Sequence, residues 1–198
     1  ENVLCCEYLP ESRLQPFIYC YWELRTTNNL AEPFYYKVVA DGCIDIFFEL
    51  NSPQGSFVMG FCKKYTVFPL DNSFHYIGIR FLPTMFPQLF EINASELSNR
   101  FERLESVVPE ACQFISENMS PELKTNAINE LLDNYFLKRI AKLEFDDDNR
   151  LYEAIDIIIR NFGVLNVETD LDTGISPRQL RRLFEFYIGD TPKTFSKV

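Results

Sequence analysis

The spacing of apolar residues changes period once along this 198-residue chain, at Pro83, and that switch limits the fold to a β-rich part followed by a helical part. Before it, aromatic and β-branched residues gather in the short runs FIYCYWELR, FYYKVVA, CIDIFFEL, SFVMGF, KYTVFP and SFHYIGIRF between Phe17 and Phe81. Asn28-Asn29, Asp41-Gly42, Pro53-Gln54-Gly55 and Asp71-Asn72 separate them at intervals of about 8 to 12 residues, the rhythm of an antiparallel β sandwich or small barrel. Beyond Pro83 the spacing predicts helices over 94–101, 106–118 and 121–141. In the last of these Ser120 and Pro121 give a start, and Leu123, Ala127, Ile128, Leu131, Leu132, Tyr135, Phe136 and Ile140 form one apolar stripe. Such a stripe packs either within the chain or, as a homodimer surface, against a second copy. The acidic run 144–150 follows, then an amphipathic helix over 151–162 ending at Gly163. These breaks define an α+β chain with a first domain over 1–143, its strands running to about residue 82, and an all-α second one over 149–198.

The second domain carries the sharpest local signal. Gly174 and Ile175 form a turn, Ser176 is an N-cap, Pro177 takes the first helical position and Gln179 completes a capping box. Leu180, Leu183, Phe184 and Tyr187 then make an apolar face, while Arg178, Gln179, Arg181, Arg182 and Glu185 lie elsewhere on the helix. Gly189 stops that helix, and Thr191-Pro192 opens another. Although the chain carries a formal charge of −10, its residues 174–198 hold five cations against two acids, a local +3. A helix-turn-helix with a basic second helix is suited to double-stranded DNA. The spacing assigns Arg178, Gln179 and Arg182 to base edges in the major groove, because arginine forks onto guanine and glutamine onto adenine. Arg181, Lys193 and Lys197, with the helix N-terminus at Ser176, are assigned to phosphates.

The succession S-P-R-Q-L-R-R-L-F and Y-I-G-D-T-P-K-T-F resembles the first helix-turn-helix of AraC/XylS-type transcription regulators, through Ser176, Leu180, Arg182 or its neighbour Arg181, Phe184, Gly189 and Pro192. Upstream, CYWELR, ADGCIDIFF and GIRFLP followed by SEL resemble the sensor domain found before some such readers, with Ala40 and Thr84 departing from its pattern. The resemblance implies a cupin-like small barrel as the alternative to a sandwich, a small-molecule effector, a dimer and a cytoplasmic regulator that reads DNA. It also implies a second helix-turn-helix beyond Val198. Asp170 and Thr173 stand where the family has an alanine and an apolar residue. With Glu168, Asp172 and Asp156 nearby, the helix before the turn is expected to be poorly formed or turned away from the duplex. A rival reading keeps the ligand-binding or protein-interaction domain and treats the helix-turn-helix as a remnant that no longer reads sequence.

No catalytic constellation, metal site or cofactor is expected. His75 is the single histidine, too few for an imidazole-based metal site or for activating a cysteine nucleophile. Cys5, Cys6, Cys20, Cys43, Cys62 and Cys112 form no C-x-x-C motif and read as reduced thiols, and no apolar run reaches the ~20 residues of a membrane span. Trp22, Tyr35, Phe47, Phe61, Tyr76 and Phe81 are candidates for sheet interiors, as core or as the lining of an effector pocket. Arg80, in an otherwise apolar strand, is expected either to pair with Asp45 or Glu49 or to bind an anionic ligand.

Overall fold

The structure, a computed structural model, describes residues 2–143, 149–167 and 169–198. Residues 144–148 of the 144–150 run read above as the boundary, and Glu168, lie outside the described residues. Among the described residues eight strands form two antiparallel sheets. The larger has the order β1 (Val3–Tyr8), β2 (Ile18–Thr26), β7 (His75–Phe81), β4 (Ile44–Glu49), β5 (Ser56–Met59), β8 (Phe101–Arg103); the smaller pairs β3 (Phe34–Val38) with β6 (Thr66–Leu70). Among the described residues no ladder closes β1 onto β8, so the six strands form an open sheet faced by a two-stranded ribbon.

Strand alternation divides the large sheet into two unlike faces. Tyr21, Ile79, Ile46 and Val58 sit side by side across β2, β7, β4 and β5 and are all buried, as are Phe81 and Phe48 in the adjoining rows. Helices cover this face: α1 (Met85–Phe90), α2 (Leu104–Val107), α3 (Pro109–Asn118) and α4 (Thr125–Ile140). Phe81, placed above among the candidate pocket residues, belongs to this core, edge-on to Phe86 and Phe136. The stripe of α4 is also spent here, with Ile128, Leu132 and Phe136 buried against the sheet and Tyr135 stacked on Phe114 at 4.2 Å. Asp133 of α4 accepts hydrogen bonds from the Tyr21 hydroxyl (2.9 Å) and the Glu11 amide (3.1 Å), fixing the register of helix on sheet.

Several boundaries differ from the sequence reading. The 94–101 helix is a 3₁₀ turn over Ala94–Leu97 that leads into β8. The 106–118 helix is broken at Val108 because Pro109 pushes its predecessor out of the α region, giving α2 and α3. Ser120-Pro121 starts only a turn, and α4 begins at Thr125 after an extended Lys124.

The C-terminal helices α5 (Arg150–Arg160), α6 (Pro177–Tyr187) and α7 (Pro192–Phe195) share a second core of Ala154, Ile158, Leu180, Phe184, Ile188 and Phe195. Phe61, from the loop after β5, is completely buried in that core and joins it to the sheet domain. Lys63 with Asp190 (2.8 Å) and Gln88 with Tyr152 (2.7 Å) reinforce the junction. The described residues of 164–174 are turns, bends and irregular chain, so among them there is no helix of the kind a helix-turn-helix places before α6.

Candidate functional site

The ribbon β3–β6 lies over the other face of the large sheet and encloses a pocket of about 140 Å³. Its lining follows from register. One row across β2, β7, β4 and β5 reads Trp22, Gly78, Phe47, Phe57; the next reads Cys20, Arg80, Asp45, Met59 and continues to Phe101 on β8. Tyr36, Val38, Phe68 and Leu70 close the pocket from the ribbon. Gly78 is required at its place, because a Cβ there would collide with the indole of Trp22, which lies across it.

The walls are apolar and mostly aromatic. Phe47 is the hub, with Trp22 at 6.3 Å, Phe57 at 5.7 Å, Phe68 at 5.9 Å and Tyr76 at 6.5 Å between ring centroids. The floor is ionic. Arg80 donates to Asp45 through Nε (3.1 Å to Oδ1) and Nη2 (3.1 Å to Oδ2), and Trp22 Nε1 donates to Asp45 Oδ2 at 3.0 Å. Asp41 stands 3.8 Å from Arg80 Nε at the rim. Burial raises the Asp45 carboxyl to about 6 against the pull of Arg80, while the same pairing raises the guanidinium above its ordinary range. Burial also pushes the Cys20 thiol up to about 12 and raises Cys43, which keeps both as thiols.

Trp22, Phe47, Tyr76 and Arg80 thus line one pocket, and Arg80 takes Asp45, not Glu49, as its close partner. Besides Phe81 in the helix-covered core, two candidates are elsewhere. Tyr35 points to solvent, 64% exposed, while its neighbour Tyr36 lines the pocket. Phe61 packs between the two domains. Tyr36, Phe57, Phe68, Phe101 and Asp45 were missed as lining; Lys37 was the available signal, since a lysine facing water puts Tyr35 on its own side and Tyr36 opposite. His75 lies outside the pocket, 2.7 Å from the buried Glu23, which also accepts from Tyr8 at 2.9 Å.

The second candidate surface is α6. Ser176 Oγ accepts from the Gln179 amide (3.3 Å) and Gln179 Oε1 accepts from the Ser176 amide (3.3 Å), the reciprocal capping box read from the sequence. Gln179 therefore has its carbonyl engaged in holding the helix start, which conflicts with bidentate reading of a base. Ser176 Oγ is likewise occupied. Arg181 is tied to Glu185 at 2.9 Å. Arg178 and Arg182, four residues apart on one exposed face, have no ion-pair or hydrogen-bond partner among the described residues. Arg181, Lys193 and Lys197 border a groove of about 560 Å³ between the start of α6 and α7.

Among the described residues no cluster of three metal-ligating side chains occurs and no helix is long and apolar enough to cross a membrane. The chain is thus an α+β protein whose antiparallel sheet holds a ligand-sized pocket. Residues 6–103, from within β1 to the end of β8, match the family model of DUF6597, a domain of unknown function. No curated protein and no solved structure matches the chain.

Proposed function

We propose that this chain is a cytoplasmic, sequence-reading DNA-binding transcription regulator of the AraC/XylS type, controlled by a small effector in its sheet domain. The observation that carries it is α6: a helix with a complete capping box and two exposed, unpartnered arginines in phase, beside a groove bordered by three more cations. On this reading Arg178 and Arg182 meet base edges, Arg181, Lys193 and Lys197 hold phosphates, and the chain binds and switches rather than catalyses. Any homodimer through 121–141 must use the outward residues of α4, since the apolar stripe faces the sheet. Contacts also connect pocket to reader. Arg80 pairs with Asp41; the adjacent Gly42 is pressed against Phe195 so closely that a Cβ would collide; and Phe195 packs edge-on against Phe184 of α6 at 5.7 Å. An effector that binds one arrangement of this floor better than another would shift how α6 is presented.

Separate roles for the cations give the test. Arg182→Ala is expected to cost about 1 to 3 kcal/mol at one base pair only, whereas Lys193→Ala weakens all sequences and lowers the salt slope by about one. Equal effects of both variants on every sequence would contradict the assignment. The rival, an interaction module with a remnant reader, is favoured by one observation, that no helix occurs among the described residues of 164–174. It expects weak, sequence-independent binding.

A further inference from the structure

The floor of the pocket restricts the chemistry of what can enter it, an inference that rests on the effector reading of that site. Size sets the first limit. A cavity on the order of 150 Å³ lined by apolar side chains accommodates a benzene ring, and this one, at about 140 Å³, is walled by Phe47, Phe57, Phe68 and Tyr76. Planar rings are favoured by such walls through offset and edge-on contacts.

Hydrogen bonding sets the second limit. Arg80 has five N–H donors and spends two of them on Asp45. Asp45 accepts Nε on one oxygen, and Nη2 together with the indole of Trp22 on the other. The floor thus has donors to spare while its buried carboxylate is already well supplied, so a ligand completes it by offering an acceptor. Charge sets the third limit. Two carboxylates, Asp41 and Asp45, flank the one guanidinium, and the other charges felt by the pocket's phenols are acidic: Glu7 at Tyr36, and Glu49 and Asp71 at Tyr76. An acceptor with its own negative charge would enter a field already negative; an ammonium would meet Arg80 and find its natural acceptor occupied.

We propose that the pocket takes a neutral single-ring compound bearing one oxygen acceptor, an aryl alcohol or aryl ketone, and turns away the carboxylate of the same ring. Entry is past Phe101, half exposed, which with Met59 and Phe68 also lines an adjoining outer groove.

Trp22 is the single tryptophan of the chain and lies on the floor, so its fluorescence reports occupancy. The test titrates the full chain with benzyl alcohol, benzoate and benzylamine, exciting at the red edge of indole absorption. Benzyl alcohol is expected to change the emission saturably and to bind at least about tenfold more tightly than either ion. Asp41→Asn, at the solvent-facing rim, is expected to narrow the gap between benzyl alcohol and benzoate several-fold. Val38→Phe, which fills the pocket, is expected to abolish the response in a protein whose thermal unfolding stays cooperative. Benzoate or benzylamine binding as tightly as benzyl alcohol would overturn the proposal, as would absence of any saturable response in the folded protein. Failure of DNA reading would leave these affinities unchanged, so the two readings fail separately.

Discussion

A single carbon added at Gly78 has nowhere to go, because the Trp22 indole occupies the space above it. Gly78→Ala is expected to destabilise the chain by about 1 to 3 kcal/mol and to shift the Trp22 emission, which a melt and one spectrum would check. Asp45 is a second residue whose surroundings set its behaviour. Its carboxyl ordinarily titrates at 3.8, and burial raises it to about 6. The folded chain then holds the proton more tightly than the unfolded one, so this group's contribution to stability is fully present below pH 3.8 and is lost as pH rises through about 6. Urea melts across that window are expected to show a stability slope that is less negative in Asp45→Asn; an unchanged slope would remove Asp45 as its source. Thr173 illustrates a local mismatch: it is buried, and its hydroxyl has no hydrogen-bond partner among the described residues. Thr173→Val keeps the shape and removes the orphan group, with an expected gain of about 1 kcal/mol by chemical denaturation.

At the scale of elements, α6 rests on its first turn. Ser176→Ala removes one half of the capping box and is expected to cost about 1 kcal/mol, seen as faster hydrogen exchange of the first α6 amides. That cap, the Gly189 stop and the Thr191-Pro192 start were all legible, because each depends on residues within four positions of one another. Strands β2 to β7 were legible for a similar reason, as local runs bounded by turns. What escaped the sequence depends on contacts distant along the chain. β8 exists because β5 offers it an edge, and Phe101–Arg103 alone carry no strand signal. β1 is an edge strand whose VLCCEY composition is not distinctive. Phe61 follows Gly60 at a strand end, where alternation no longer applies, so its burial between the domains needed the fold. The helix before α6 was expected to be weak, and Asp170 has a competing use: it accepts the Asn166 amide at 2.8 Å and the Thr169 hydroxyl at 2.8 Å, closing a turn.

For the whole molecule, a narrow junction joins the pocket domain to the C-terminal helices proposed to read DNA. Phe61, the Lys63–Asp190 pair and the Gly42–Phe195 contact hold the C-terminal helices on the sheet domain. Gly42→Val is expected to push Phe195 off the Asp41-Gly42 turn and to remove any effect of a pocket ligand on DNA affinity, while ligand binding itself, read at Trp22, persists. On the function proposed above, the protein reads sequence with α6. Fluorescence anisotropy of the protein with the duplex upstream of its own gene and with a scrambled duplex, at two salt concentrations, tests this. Tight binding confined to the native duplex, surviving the higher salt, is the predicted result. Equal binding to both duplexes, lost together as salt rises, would contradict it.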